Sequence, residues 1–310
     1  MGTIYNVKII HHEIDETLLA DIQKSVENSL KRVNQQMSTY ISDSEVSRFN
    51  ASKDTNRFQI SKELYTVIQE AIRVNNLSAG AFDITVNPLV VLWGFGNKDS
   101  KLRPPRDSEI RKVLRKIGTQ HLTLIDSTYI KKEIPDLEID LSAIAKGYGV
   151  DVVADVLHNF NFENYMVEIG GEVFTKGKNI KNDKWKIGID KPKYLALPGQ
   201  KLQSIINISN VGVATSGDYR NFYEVDGKIY SHTINPKTGK PVTHRLASVT
   251  IVAPNCMQAD ALATAALVMG AEKGIELIES MENVEGYFIS RIKLDEFEET
   301  STSGFKKYIN

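Results

Sequence analysis

Residues 219–239, YRNFYEVDGKIYSHTINPKTG, place the tightest constraint on any fold this chain can adopt. Stretches 219–225 and 228–232 are rich in aromatic and β-prone residues, which favour extended backbone. Asp226-Gly227 leaves two residues for the reversal between them. A loop that short needs positive φ, which Gly accepts freely and Asp at some cost. The second strand therefore ends at His232 and runs into Asn235-Pro236-Lys237-Thr238-Gly239, where Pro and Gly punctuate the backbone. A titratable imidazole at a strand end beside a rigid loop is where function tends to sit. The same pattern also describes a plain hairpin with an ordinary surface histidine.

Around this hairpin, helices and strands interleave. Residues 4–10 read as a strand. Within 16–40, Leu19, Ile22, Val26, Leu30, Val33 and Met37 recur at three- and four-residue steps, one stripe of a long amphipathic helix. The polar run 42–50, SDSEVSRFN, suits a helix N-cap region. A second helix is predicted over 61–78 with Gly80 as its stop, and a short one capped by Asp107 and ended by Gly118. HLTLI at 121–125 reads as a strand, and 139–149 as strand, turn and helix, the helix continuing through Leu157. Further strands are predicted at 165–169, 185–190, 203–209 and 248–253, then a helix over 258–269 that breaks at Gly270 and resumes through Ile278. No regular βαβ period, repeat or linker appears, which predicts one α+β domain spanning 1–310, a mixed or antiparallel β core flanked by helices.

Composition excludes several classes. A net charge of −1 with Lys and Arg spread along the chain argues against a nucleic-acid partner. No apolar run approaches the roughly 18 residues of a membrane helix. Cys256 is the only cysteine, so no internal disulfide can form, and a buried apolar role suits it.

Three constellations could carry chemistry. Asp260 and Thr264 are four residues apart, hence on one helical face. Carboxylate and hydroxyl are hard oxygens suited to Mg²⁺, which takes few protein ligands. The pair also fits a helix start, with Asp favouring the macrodipole and Thr bonding back to a carbonyl. Asp140, Ser142, Ala143 and Lys146 form a plausible nucleotide cradle, with N–H groups and a lysine for phosphates, although the P-loop spacing is absent. Taken alone, an exposed cap with a solvated lysine is the better account of them. Ala81-Phe82-Asp83 could set an aromatic and an acceptor against a planar ligand, or simply pack a core Phe beside a turn Asp.

Each motif is weak alone, but eight blocks occur in one order: MGTIYNVKI, SDSEVSRFN, GAFDITVNPLVVLWGFG, IDLSAIAKGYGVD, EIGGEVFTKG, GVATSGDYRNF, YSHTINPKTGKPV and ADALATAALVMG. Together they resemble the ApbE family, the FAD:protein FMN transferases once called thiamine biosynthesis lipoproteins. The resemblance implies Mg²⁺-dependent transfer of FMN from FAD to a Thr or Ser hydroxyl of a target protein, releasing AMP. Some members instead hydrolyse FAD to FMN and AMP, and a non-catalytic flavin-binding protein is a further alternative.

Carried onto matching positions, the resemblance implies that Asp260, Thr264 and the backbone carbonyl of Ala143 ligate Mg²⁺. Met1, Tyr40, Ala81, Phe82, Asp83, Asp140, Lys146 and Ile234 would line the FAD site. His232 would activate the acceptor hydroxyl, with Asp260 the second catalytic residue. Asn235 stands where family members often have Asp. The implied partner is a subunit of a sodium- or electron-pumping membrane redox complex, recognised through a Ser/Thr-Gly-Ala-Ser/Thr type segment. The family usually opens on Thr-Met-Gly-Thr behind a signal peptide and a lipidated Cys, whereas this sequence begins at Met1 of that block. The implied location is the periplasm or outer face of the inner membrane, the anchor having been trimmed away, or the cytoplasm if Met1 is the native start.

Overall fold

Residue pairing dominates the architecture. A computed structural model describes residues 2–11, 13–95, 103–194, 199–219, 221–225, 227–293 and 295–309. Strand β1 (Tyr5–Ile9) precedes helices α1 (Glu16–Met37) and α2 (Glu45–Ala51). Strand β2 (Phe58–Gln59), helices α3 (Lys62–Leu77), α4 (Asn87–Leu92) and α5 (Asp107–Leu114), and strands β3 (Leu122–Ile125) and β4 (Tyr129–Lys132) follow. Helix α6 (Ala145–Asn159) leads into strands β5 (Tyr165–Ile169), β6 (Glu172–Lys176), β7 (Trp185–Asp190), β8 (Leu202–Ile208) and β9 (Val211–Gly217). The hairpin of β10 (Phe222–Val225) and β11 (Lys228–Ser231) comes next, then β12 (Ile234–Asn235), β13 (Lys240–Pro241) and β14 (Leu246–Ala253). Helices α7 (Cys256–Met269) and α8 (Ala271–Glu279) and strands β15 (Glu285–Lys293) and β16 (Glu296–Ser301) follow, and a 3-10 helix over Ser303–Tyr308 comes after them.

Seven strands form one sheet in the order β1-β5-β6-β9-β14-β15-β16, antiparallel at every step. This is the expected α+β class. Every residue of β14 is buried, because the sheet is covered on both faces. On one face Val249 and Ile251 pack with Leu262, Ala266, Ile68 and Phe49 of the helical layer. On the other, Val252 packs with Trp185, Ile206 and Ile208 of the β7–β8 hairpin and with Phe305. Helix α7 sits inside the first layer and is apolar all round, as a fully enclosed helix must be. Its one charged residue is Asp260.

Two close approaches fix the register of these layers. A Cβ on Gly147 of α6 would lie 2.3 Å from the Cys256 carbonyl and 2.8 Å from Asp260 Cβ, so only glycine lets α6 reach α7. Gly170 and Gly171, both at positive φ, make the two-residue turn between β5 and β6. That turn sets Glu172 at the first position of β6.

Several expectations need correction. Residues 139–140 form no strand: Asp140 makes a backbone bond to the Ile84 carbonyl at 2.7 Å, and the segment passes into turns before α6. Asp107 is the first residue of α5 and not its cap. Arg106 takes that place, its N–H donating to the Glu109 carboxylate at 2.8 Å. The polar run 42–50 is more than a cap region, because Ser44 caps α2 by accepting from Ser47 N–H at 3.0 Å. On α1 the predicted stripe is buried at Ile22, Val26, Val33 and Met37, while Leu19 stays outside.

Candidate functional site

The two-residue turn forms as its sequence requires, although β10 begins only at Phe222 and Tyr219 lies in a bend. Val225 pairs with Lys228, so two residues make the turn. Gly227 there has φ of 72°, and Asp226 lies outside the described residues. Strand β11 ends at Ser231 and hands His232 to a bend. The His232 backbone N–H donates to the Asn221 carbonyl at 3.0 Å, and ring Nδ1 lies 3.0 Å from the same oxygen. A carbonyl only accepts, so Nδ1 carries the proton of that bond. The neutral ring then holds its lone pair on Nε2. Burial lowers the imidazole pKa, opposed by the Asn221 bond and by the Asp218 charge. Near neutrality His232 is therefore an unprotonated base with a fixed tautomer.

The loop after it is stiff. Asn235 Oδ1 accepts from Lys237 N–H at 2.9 Å, Gly239 N–H donates to the Asn235 carbonyl at 2.8 Å, and the Trp93 indole donates to the Gly239 carbonyl at 2.7 Å. Asn235 thus acts in the turn, as its side chain chemistry suggests.

Helix α7 brings Asp260 and Thr264 to the same cavity, one of about 430 Å³ that His232 also lines. Asp260 is the fifth residue of α7, past the first turn, so the macrodipole does not account for it. Its Oδ2 accepts the Gly147 N–H at 3.0 Å. Thr264 Oγ1 lies 3.0 Å from Ser216 Oγ on β9, so its hydroxyl reaches across to the sheet. Ala143 and Lys146, at the start of α6, line the cavity too, and α6 begins without a side-chain cap. Asp140 Oδ1 accepts from Ser142 N–H at 2.7 Å, which shapes the turn that presents them.

Glu172 is a site residue that sequence reasoning missed. Its side chain is 4 % exposed and pairs through Oε1 with the Lys146 ammonium. Among the described residues Oε2 is buried with no hydrogen-bond partner. Burial, and then the neighbouring Asp260 charge, push the Glu172 carboxyl up, against the pull of Lys146. Burial likewise raises Asp260, against Lys146 and the Gly147 N–H. Burial alone would lower Lys146, but Asp260 and Glu172 more than reverse this and raise it. Lys146 is thus ion-paired with Glu172 and also feels the Asp260 charge, so two enclosed carboxyl groups lie in the field of one ammonium. An orphaned buried carboxylate oxygen beside hard oxygen donors suits a cation. Among the described residues no group of three or more His, Cys, Asp or Glu could hold a metal ion. A hard cation that keeps water or substrate ligands needs only a few protein oxygens. Asp260, Thr264 and the Ala143 carbonyl could hold it.

The remaining predicted residues divide. Ala81, Phe82, Asp83, Asp140 and Ile234 line the same cavity, together with Ser216, Tyr219 and Thr233. Phe82 is also buried in the core. Asp83 is engaged locally: Thr85 N–H donates to it at 2.8 Å and Thr119 Oγ1–H at 2.8 Å. Tyr40 is not brought in. It follows the end of α1, is 95 % exposed and does not line the cavity. Met1 lies outside the described residues. Cys256 is fully buried and its thiol is raised well above the usual range by burial, so it is inert.

A family model described as the ApbE family matches residues 1–288. The chain belongs to the ApbE family. It is 44 % identical to the FAD:protein FMN transferase of Vibrio cholerae, over 100 % of this chain and 91 % of that protein. It is 42 % identical to the protein of the same name from Haemophilus influenzae, over 99 % of this chain and 89 % of that one. Among solved structures, the flavin transferase ApbE from Vibrio cholerae matches with a TM-score of 0.89 at 44 % identity, covering 100 % of this chain and 96 % of the other.

Proposed function

We propose that this chain is an FAD:protein FMN transferase, moving the FMN half of FAD onto a Thr or Ser hydroxyl of an acceptor protein and releasing AMP. The observation that carries this reading is one cavity lined by a neutral histidine, a half-buried lysine and an acid–alcohol pair one helical turn apart. His232 Nε2 takes the proton of the acceptor hydroxyl. The hydroxyl oxygen bonds to the phosphorus of the FMN half as the bond from that phosphorus to the bridging oxygen breaks, and AMP leaves with that oxygen. Lys146, held by Glu172, offsets phosphate charge through the change. Asp260 and Thr264, with the Ala143 carbonyl, would hold Mg²⁺, which supplies charge neutralisation at the pyrophosphate. Ala81, Phe82 and Ile234 shape the flavin end. The acceptor is a flavin-carrying subunit of a membrane redox complex, and the protein works in the periplasm or at the outer face of the inner membrane.

Mass spectrometry tests the reaction. A carrier protein bearing a Ser/Thr-Gly-Ala-Ser/Thr segment is incubated with the enzyme, FAD and Mg²⁺. The expected result is a gain equal to FMN minus water on one hydroxyl, with little AMP when the carrier is left out. AMP release at the same rate without the carrier, and no mass gain with it, would make the chain an FAD pyrophosphatase instead.

A further inference from the structure

The connection between β6 and β7 is not used by the flavin chemistry, and it displays a hydrophobic side chain to solvent. Ile180 is 82 % exposed. Around it Lys178, Lys181, Lys184 and Lys186 are all exposed, and no described carboxylate pairs with them. Segment 176–186 holds five lysines and one acid, Asp183, in a chain whose overall net charge is −1. Only Lys176 is paired, to Glu163 at 3.3 Å.

The loop is built rather than loose. Asn179 Nδ2 donates to the Lys184 carbonyl at 2.8 Å, and its Oδ1 accepts from Lys181 N–H at 2.8 Å and Asp183 N–H at 3.2 Å. Its backbone N–H donates to the Asp183 carbonyl at 2.8 Å. At the base, the Trp185 indole donates to the Lys176 carbonyl at 3.0 Å. A loop closed in this way holds the backbone at Ile180 and at the neighbouring lysines in place, so little backbone ordering is lost on docking.

We propose that this loop docks the protein on an anionic bilayer surface, Ile180 entering the interface while the lysines meet lipid phosphates. An exposed aliphatic side chain flanked along the loop by exposed lysines complements a headgroup layer, apolar below and negative above. The geometry also leaves the cavity free. Glu172 begins β6 and Lys176 ends it, so the loop sits about 13 Å along the strand from the cavity wall. Docking does not depend on the flavin chemistry.

Sedimentation with vesicles tests the proposal. The chain is expected to bind vesicles of phosphatidylglycerol and phosphatidylcholine, to ignore pure phosphatidylcholine, and to release as salt rises from low to high concentration. Reversing Lys178, Lys181 and Lys184 to Glu is expected to lower partitioning by on the order of a hundredfold or more. Ile180→Ser is expected to lower it roughly tenfold. Both variants change exposed side chains only, so an unchanged unfolding midpoint confirms that they fold. Equal binding to both vesicle types, no binding at all, or partitioning untouched by either variant would overturn the proposal. Binding that needs the lysines but not Ile180 would overturn it too, pointing to a polyanion partner without a bilayer.

Discussion

Helix α7 and the segment around β11 and β12 line one cavity but hold their reactive groups in opposite ways. On α7, Asp260 sits in a fully enclosed apolar helix, and Glu172 and Lys146 join it under a shared layer. Charge there is imposed against burial, which raises both carboxyls. At the hairpin, His232 is half-buried and uncharged, and a single carbonyl fixes which nitrogen is free. The first region stores electrostatic tension that a cation would relieve. The second stores an orientation. A transfer reaction on a pyrophosphate needs both, one for the phosphates and one for the incoming hydroxyl.

The comparison can be broken by removing one side at a time. Asp260→Ala should abolish turnover, a loss of about 10⁴-fold if the cation supplies several kcal/mol. Normal activity in that variant, measured as AMP released with Mg²⁺ present, would reject the cation assignment. His232→Ala should slow transfer by about 10³-fold. Because burial lowers this imidazole, the acid limb of the wild-type rate profile should fall below the ordinary 6.5. A limb above that value, or an unchanged flavinylation rate in the variant, removes His232 from the mechanism.

A third test concerns the support of α7. Asp151 on α6 accepts from the Cys256 and Met257 N–H groups, both at 2.8 Å, and caps α7 from outside. Burial pushes its carboxyl up from 3.8 to about 7. In that window the folded protein keeps a proton that the unfolded chain has lost, so the Asp151 term makes stability fall as pH rises from about 4 to about 7. The full shift corresponds to about 4 kcal/mol. Asp151→Asn should flatten the pH dependence of urea unfolding over that range; the same slope in the variant would contradict the assignment. The smallest effect is expected from Glu172→Gln, which frees Lys146. FAD affinity should drop by about tenfold with the unfolding midpoint little changed. Unaltered affinity would show that Lys146 needs no partner to meet the phosphates.

The sequence exposed these two regions unequally. His232 was legible because a two-residue turn fixes where its strand ends, and Asp260 with Thr264 because helical spacing stacks them. Glu172 and Ser216 were not. They reach the cavity only through the pairing of β6 with β9, segments about 40 residues apart in the chain, and no local period encodes that contact. The Gly170-Gly171 turn was the one available clue, since a tight reversal places the next residue at a sheet end. The strand predicted at 139–140 failed for the converse reason. Its apolar alternation is that of an extended segment, but its one backbone partner is Ile84, in a turn. Tyr40 shows the same limit, because proximity to a cavity depends on how the chain leaves α1.

The division of labour between the two regions is tested most directly by calorimetry of FAD binding to His232→Ala, with and without Mg²⁺. FAD should bind this variant as tightly as it binds the wild type, with the same gain from Mg²⁺, while transfer is lost. If FAD affinity and its Mg²⁺ dependence fall along with transfer, the histidine and the α7 carboxylate act as one unit and the account is wrong.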